Sequence, residues 1–512
     1  MATAQKQRYI LLPSQGVRLH GGGVRAARIS APLENFLASM ARSGRVAMRV
    51  RTKRRGKDGA KRRAPRGVPV RVLDSVREDG AKLVEMAPEH MLALRTAQPG
   101  LRVLPEIFYK PAMAPRPMPK RAVMAARAAR TMTPVTVSVR SRADRTPVAG
   151  AQVVAFTDFE TFEGDDGVTD AKGEVKLRLP TSARTIERLY VYPPIGSWSV
   201  LKQRLRKRAQ VRVSVRPISL GTDDALRHFY GTTGLTVGKG VTVGIIDTGV
   251  GDHPDLAVAG GENTVQGERP DNWRDNGAGH GSHVAGIVAA RGRKGSGVRG
   301  LAPGVKLRSY RVFGKGKETA SNFAILKAID RAVADGCDLI NMSLGGGGPD
   351  AATSAAIADA RAQGVLVIVA AGNDGRAPVS FPGADQLAIG VSAMGRKGTY
   401  PRDSTHRAEA MRPYGRDRSN FVAAFSNIGP EIDLTGPGVA IVSTVPGGYV
   451  ALDGTSMACP AATGAAAALL ARNRRILKMR RGPARSDAMA QIVFAAAREL
   501  GFGAIYEGRG ML

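Results

Sequence analysis

The stretch VTVGIID, Val241–Asp247, decides the fold of the C-terminal half of this chain. It is a short, continuous run of apolar and β-branched residues, which is typical of a strand buried on both faces of a parallel sheet. A helical pattern follows it, HGSHVAGIVAA, from His280 to Ala290. Because the chain goes on alternating such strands and helices, we expect an α/β fold with a doubly wound parallel sheet.

The same alternation continues downstream of this first strand and helix. Apolar runs predict three more strands, and segments with helical spacing separate them. The strands are VKLRSYRVF (305–313), CDLINMSL (337–344) and VLVIVAAG (365–372), and the helices are NFAILKAIDRAVADG (322–336) and AATSAAIADARAQG (351–364).

Three polar residues stand at the ends of these predicted elements. Asp247 ends the first strand, His280 begins a helix, and Ser456 begins a helix of small residues in DGTSMACPAATG. Singly, each has an ordinary structural explanation, since a strand-end Asp can cap a turn and a helix-start Ser or His can satisfy backbone groups. Together, they have the chain order of one type of serine-hydrolase triad, Asp, then His, then Ser.

Five sequence motifs, three of which contain Asp247, His280 and Ser456, follow one another along the chain. DTG…HPDL, HGSHVAG, NMSLGG, AAGN and GTSMACP lie within residues 217–512 and resemble the subtilisin-like serine peptidase (subtilase) family. The resemblance implies a subtilisin-like catalytic domain that hydrolyses peptide bonds through an acyl-enzyme. It implies that Asp247, His280 and Ser456 form the catalytic triad and that the side-chain amide of Asn373 stabilises the oxyanion.

The glycine-rich segment NMSLGGGG, 341–348, resembles the substrate-binding edge of the same family. Its small residues would let an extended peptide pair with the backbone by strand addition. The implied substrate-binding residues are Ser343, Leu344 and Gly345 for the backbone, with Gly346 and Gly372 walling the primary specificity pocket.

We expect no cofactor and no metal ligands. His280 and His283 are three residues apart, but the chain has no HExxH motif that would suggest zinc. Asp255 in HPDL matches a position where many subtilisins bind calcium, so calcium is possible, but the loop 290–298 that would complete the site is cationic. Cys459 is expected to be a small buried residue rather than a nucleophile.

Residues 1–110 carry the pattern of a second, smaller domain. Strands and helices in the order βαββαβ between residues 8 and 110 predict a ferredoxin-like α+β unit with its last strand at 101–109. Residues 8–110 resemble the inhibitor-type propeptide of subtilases, and the stretch 80–109 carries the similarity. The resemblance implies a self-inhibited zymogen in which this domain is the intramolecular inhibitor. We expect the segment just after Tyr109 to lie in the active-site cleft.

The middle of the chain differs in pattern from both ends. Residues 111–132 are rich in Pro, Ala and Arg and predict a linker. Residues 133–216 alternate with period two and have Gly/Asp turns, which predicts a small all-β sandwich. It resembles carboxypeptidase-regulatory-like or bacterial Ig-like modules, and its role stays open. Residues 217–512 are the predicted catalytic domain, with an Arg-rich insertion at 399–421 that is either a mobile loop beside the cleft or surface elaboration.

The charge is concentrated in the N-terminal part. The chain carries a net charge of +33, and residues 1–220 hold 43 basic and 17 acidic residues. The densest run, 51–67, predicts a basic insertion that could bind an anionic polymer. Only 5% of residues are aromatic, which weakens a base-stacking hypothesis. The alternative function is a catalytically silent subtilase scaffold whose polybasic region binds an anionic partner.

Cysteine and hydropathy patterns exclude several other classes of protein. Two cysteines cannot make a disulfide framework, and no apolar run approaches the length of a membrane span. The apolar stretch near the N-terminus is too short for a secretory signal. We therefore expect a cytoplasmic protein that acts on protein or peptide substrates, with signal-independent export left open.

Overall fold

The computed structural model describes residues 6–14, 16–17, 31–43, 45–49, 67–120, 131–221, 224–293 and 295–512. The basic run predicted at 51–67 lies outside the described residues, except for Gly67. Among the described residues, no helix combines the length and the apolar character needed to cross a bilayer.

An antiparallel five-stranded sheet forms the first part of the chain, in the strand order β2-β3-β4-β1-β5. Its edge strand β2 was not expected from the sequence. Its elements are β1 (Gln7–Pro13), α1 (Ala31–Ser43), β2 (Arg45–Arg49), β3 (Gly67–Ser75), β4 (Lys82–Met86), α2 (His90–Ala97) and β5 (Leu101–Pro105).

The prediction of one last strand over 101–109 is wrong. Strand β5 ends at Pro105, and a separate strand, β6 (Phe108–Pro111), leaves this sheet and pairs with the C-terminal half of the chain. The backbone N–H of Ile107, between the two strands, donates to the side chain of Asn322 at 3.1 Å. Between β5 and β6, the backbone is therefore hydrogen-bonded to Asn322, a residue of the C-terminal half, rather than to a strand of this sheet.

Two sheets follow, with strand orders β10-β7-β13 and β12-β11-β8-β9. Alternate Val, Ile and Leu side chains from both sheets meet in a buried apolar core. The strands are β7 (Met132–Ser141), β8 (Gln152–Asp158), β9 (Glu163–Val168), β10 (Glu174–Pro180), β11 (Thr185–Tyr192), β12 (Val200–Arg206) and β13 (Gln210–Val215). We call this unit the sandwich.

Strands and helices alternate from residue 224 to the end. The helices are α3 (Ala225–Tyr230), α4 (His280–Ala289), α5 (Asn322–Ala334), α6 (Ala351–Ala362), α7 (Thr455–Arg472), α8 (Arg474–Leu477), α9 (Pro483–Ala496) and α10 (Ala504–Glu507), with a 3-10 helix at Thr405–Glu409. The strands are β14 (Thr242–Asp247), β15 (Val258–Asn263), β16 (Lys306–Arg311), β17 (Ala320–Ser321), β18 (Leu339–Met342), β19 (Leu344–Gly345), β20 (Leu366–Ala370), β21 (Ile389–Arg396), β22 (Ala410–Tyr414), β23 (Asn420–Ala423), β24 (Leu434–Pro437), β25 (Ile441–Val445) and β26 (Gly448–Leu452).

A mainly parallel sheet organises this half of the molecule. Strands β15, β16, β14, β18, β20 and β21 run parallel in that spatial order, and β24 pairs parallel with β21. In β20, Leu366 and Ile368 enter the core shared with α4 and α7, whereas Val367 and Val369 enter the core shared with α5 and α6. Both faces are therefore covered by helices, and the predicted doubly wound α/β fold is confirmed.

The insertion at 399–421 is an ordered part of the fold. It contains the 3-10 helix and β22, which pairs with β23 at the edge of the large sheet. It also contacts the sandwich, where Leu201 N–H donates to the carbonyl of Asp403 at 2.8 Å and Lys202 forms an ion pair with Asp403 at 3.0 Å. Trp198, 7% exposed, joins the large apolar core of the C-terminal half. The sandwich is thus packed against the large sheet domain.

Replacing Trp198 tests this packing. In a chain that also carries the inactivating change Ser456→Ala, Trp198→Ala is expected to lower the free energy of unfolding by about 3–5 kcal/mol. The reason is that removing the buried indole leaves a cavity in the core. Thermal unfolding measures the effect, and Val168→Ala, at a sandwich position that is 62% exposed, is the control. Equal unfolding midpoints for the two variants would contradict the observed packing.

Candidate active site

Three strand ends bring the predicted site residues to one edge of the sheet. Asp247 ends β14, Ser343 follows β18, and Asn373 lies three residues after the end of β20. Carboxyl ends of parallel strands meet at the same edge, which is where open α/β sheets bind ligands.

Asp247 and His280 are in direct contact. The Nδ1 atom of His280, the first residue of α4, lies 2.7 Å from Asp247 Oδ1, and both side chains are buried. The carboxylate can only accept here, so Nδ1 carries the proton and Nε2 is left as the basic nitrogen. Nε2 has no hydrogen-bond partner among the described residues.

Ser456 is the second residue of α7 and exchanges hydrogen bonds with Ser343. Its hydroxyl donates to the Ser343 carbonyl at 3.0 Å, and the Ser343 hydroxyl donates to the Ser456 carbonyl at 3.0 Å. Pro460 explains the second bond, because it has no N–H to offer the carbonyl four residues earlier. The Ser456 hydroxyl therefore points at Ser343, on the edge predicted to bind substrate. It does not donate to His280 Nε2 in this state.

The chain's own strand β6 occupies the edge predicted to bind substrate. It pairs antiparallel with β17 on one side and with β19 on the other, where Leu344 faces Pro111 and Gly345 faces Lys110. The backbone N–H of Ala112 donates to the carbonyl of Ser343 at 3.0 Å. The segment just after Tyr109 therefore lies along Ser343, Leu344 and Gly345, the edge at which we expected it.

Ala112 lies directly against Ser456. The backbone N–H of Ser456 donates to the Ala112 carbonyl oxygen at 3.1 Å. The chain continues through Met113, and the N–H of Ala114 donates to the carbonyl of Asp453 at 3.0 Å. The Ala112 carbonyl is thus held beside Ser456, the predicted nucleophile, and the chain continues on both sides of it.

Asn373 is held beside the same helix end. Its side-chain oxygen accepts from the backbone N–H of Thr455 at 2.8 Å and from the Thr455 hydroxyl at 3.1 Å. The amide orientation is inferred from this network. Since the oxygen is engaged, the NH2 group of Asn373 is the end that remains to donate.

The two predicted pocket glycines contact neighbouring residues of one loop. Gly346 N–H donates to the Phe381 carbonyl at 3.0 Å, and a Cβ on Gly372 would collide with Ser380. Gly372 also has φ of +105°, in the left-handed region that disfavours side chains. Gly372 therefore has no room for a side chain where the loop at 380–381 approaches, whereas a Cβ on Gly346 would meet open space.

A buried tyrosine in β6 was missed by the sequence analysis. Tyr109 is completely buried, and its hydroxyl donates to Asp350 Oδ2 at 3.1 Å. Its ring lies 6.4 Å from that of Phe381, measured between centroids. Burial and the Asp350 carboxylate raise the pKa of the Tyr109 phenol, so it remains a donor. The alternation in the sequence around Tyr109 gave no sign of a partner 241 residues away.

The residues considered for metal or thiol chemistry have other partners. Asp255 Oδ2 accepts from the Val298 N–H and the Tyr449 hydroxyl, both at 2.9 Å, so neutral hydrogen-bond donors occupy the positions around this oxygen. Burial lowers the pKa of His283 to about 3, and burial raises the pKa of the Cys459 thiol. Within the described ranges, no group of three or more His, Cys, Asp or Glu residues is arranged to hold a metal ion.

Comparison with known proteins agrees with this geometry. The sequence model of the subtilase family matches residues 238–506, more than half of the chain. The chain is 37% identical over 270 residues to the alkaline protease of Alkalihalobacillus alcalophilus, covering 52% of this chain and 64% of that protein. It is 37% identical over 241 residues to subtilisin BL of Lederbergia lenta, covering 47% of this chain and 79% of that protein.

A third relative extends the agreement to another organism. Subtilisin DY of Bacillus licheniformis is 38% identical over 242 residues, which cover 46% of this chain and 78% of that protein. The chain spans just under two thirds of the length of the alkaline protease and more of the two subtilisins. From the family match and these identities, the chain belongs to the subtilase family.

Proposed function

We propose that this chain is an active serine endopeptidase, made as a self-inhibited zymogen, that cuts its own Ala112–Met113 bond. The hydrogen bond from the Ser456 N–H to the Ala112 carbonyl carries this proposal. It holds a peptide carbonyl at the start of α7, where a helix N-terminus favours developing negative charge.

The reaction begins with a rotation of the Ser456 hydroxyl. Its oxygen turns from the Ser343 carbonyl toward Nε2 of His280, which accepts the proton as the oxygen attacks the Ala112 carbonyl carbon. Asp247 holds the Nδ1–H of His280 and stabilises the imidazolium that forms. Both side chains are already oriented for this step, because their 2.7 Å contact is present before attack.

Collapse of the tetrahedral intermediate breaks the Ala112–Met113 bond. His280 delivers its proton to the Met113 nitrogen, which leaves as a new N-terminal amine. Ala112 remains as an ester on Ser456, and water, activated by His280, then hydrolyses it. The oxyanion formed in each step is stabilised by the Ser456 N–H and the side-chain NH2 of Asn373.

The residues in β6 suggest the preferred substrate. Cleavage after Ala112 places Pro111, Lys110 and Tyr109 at the second, third and fourth positions before the bond. Tyr109 fills a buried pocket whose Asp350 carboxylate accepts its hydroxyl. We expect extended peptide segments with a small residue before the cut and a tyrosine three residues earlier to be good substrates.

The N-terminal sheet supports the zymogen part of the proposal. Without edge strand β2, its order is β3-β4-β1-β5, which is a ferredoxin-like arrangement with two helices. It packs on α5, where Lys327 pairs with Asp74 at 2.9 Å and Arg77 pairs with Asp330 at 3.2 Å. These contacts do not involve the scissile bond, so the sheet can stay bound as an inhibitor after cleavage.

Replacing the nucleophile tests the self-cleavage. Wild-type protein is expected to yield a chain beginning at Met113 and a fragment ending at Ala112, whereas Ser456→Ala stays intact because no hydroxyl can attack. Intact-mass spectrometry measures both. Cys459→Ala, which removes the nearby thiol, is the matched control and should still be cut at the same bond. Cleavage of Ser456→Ala at Met113 would refute the proposal.

The role of Asn373 can be tested on the processed enzyme. Asn373→Ala is expected to lower kcat by ~10²–10³, the loss known for an oxyanion-hole asparagine of subtilisin, with little change in KM. Steady-state kinetics on a peptide substrate give both constants, and labelling of Ser456 by a fluorophosphonate verifies a folded site. The control is Asn473→Ala, at the far end of α7. A kcat equal to that of the control would remove Asn373 from the mechanism.

A further inference from the structure

The segment after the proposed scissile bond runs along the sandwich. Between residues 116 and 120, it makes five contacts with sandwich residues: two cation–π contacts, two side-chain hydrogen bonds and one backbone hydrogen bond. After the proposed scissile bond, the chain therefore runs between the sandwich and residues of the large sheet domain, where the Ala114 N–H donates to the Asp453 carbonyl.

The best-defined contact is made by Arg116. Its guanidinium carbon lies 4.4 Å from the centre of the Tyr192 ring, and its Nη1 donates to Gln152 Oε1 at 3.0 Å. Gln152 and Tyr192 face each other across strands β8 and β11. These paired strand positions hold the aromatic face of Tyr192 next to the amide oxygen of Gln152. Together, the two groups can bind a guanidinium group by a cation–π contact and a hydrogen bond.

Negative charge lies close to this contact. The cavity at the end of the cleft is lined by Met113, Arg116 and Tyr192 on one side and by His406, Glu409 and Asp453 on the other. Asp453 is held by His406, whose Nδ1 lies 2.7 Å from its carboxylate. Burial, together with the neighbouring Asp453 carboxylate, raises the pKa of Glu409. The Asp453 carboxylate attracts a cationic side chain here, and this attraction opposes the burial that lowers the pKa of the Arg116 guanidinium.

A second, weaker contact follows four residues later. The Lys120 ammonium lies 5.1 Å from the centre of the Phe162 ring, and the Lys120 N–H donates to the Phe162 carbonyl at 3.2 Å. Phe162 packs edge-on against Phe156, with ring centroids 5.9 Å apart. The ring is thus held in place by the sandwich before any cation binds.

We propose that the sandwich supplies substrate-binding subsites beyond the scissile bond, and that Tyr192 and Gln152 select an arginine at the fourth position after the cut. The linker shows how a substrate lies there, since Arg116 is the fourth residue after Ala112. The substrate class is an extended polypeptide with a basic residue at this position, and Phe162 accepts a second cation four residues further on. This inference rests on the proposed endopeptidase function and adds its substrate class.

Peptide kinetics test the inference. The substrates are internally quenched peptides with the sequence of residues 108–120, carrying either arginine or its neutral isostere citrulline at the position of Arg116. A third peptide ends at the position of Pro115 and measures cleavage without the subsite. All enzymes carry Arg116→Ala and Lys120→Ala, so that their own tethered linker competes less for the sandwich.

The processed enzyme is expected to show kcat/KM about three- to tenfold higher for the arginine peptide than for the citrulline peptide. Tyr192→Leu should reduce this ratio to near one, whereas Tyr192→Phe, which keeps the ring, should retain it. Arg212→Ala, at an exposed position in the other sheet of the sandwich, is the control and should also retain the ratio.

Two results would overturn the inference while leaving the peptidase function intact. One is equal kcat/KM for the arginine and citrulline peptides with the enzyme that carries only Arg116→Ala and Lys120→Ala. The other is an unchanged ratio in Tyr192→Leu, which would show that the sandwich only anchors the linker. Failure to cleave any peptide, including the short one, would instead refute the proposed function, and the inference would fall with it.

Discussion

The hydrogen bond between the Ser456 amide and the Ala112 carbonyl sets the register of the chain through the cleft. A shift by one residue would turn Tyr109 away from Asp350, since side chains alternate along a strand. The same shift would move Arg116 off the Tyr192 ring. The position of the N-terminal sheet, the strand in the cleft and the path of the linker along the sandwich are therefore coupled to one contact at the start of α7.

The proposed nucleophile, Ser456, and the proposed substrate-binding edge at Ser343 are coupled just as closely. Ser343 and Ser456 each use a hydroxyl to bind the other's carbonyl, and Pro460 leaves one of those carbonyls without a helical partner. The state in which the cleft is filled is thus also the state in which the nucleophile is turned toward the strand edge. The proposed attack would require breaking one of these two bonds, a modest cost of about 0.5–1.5 kcal/mol.

The candidate site residues at strand ends and helix starts could be singled out from the sequence. Asp247, His280, Ser456 and Asn373 lie in short, specific motifs, and the parallel sheet brings such strand ends together. The break after Pro105 could not be predicted, because the partners of β6 come from β17 and β19, more than 200 residues later. The sequence pattern of a segment can predict that it forms a strand, but the strands that lie beside it in the fold determine which sheet it joins. The ordered insertion at 399–421 was ambiguous for the same reason, since the sandwich supplies part of its support.

The linker along the sandwich has a consequence for product release. Cleavage after Ala112 would give two products, and the one that begins at Met113 would stay covalently joined to β7. A short tether holds its end at an effective concentration in the millimolar range. Even weak binding of residues 113–120 would then keep that side of the cleft filled. Full activity would therefore depend on how far this new N-terminus can move away, so the length of the linker becomes a determinant of the activation rate.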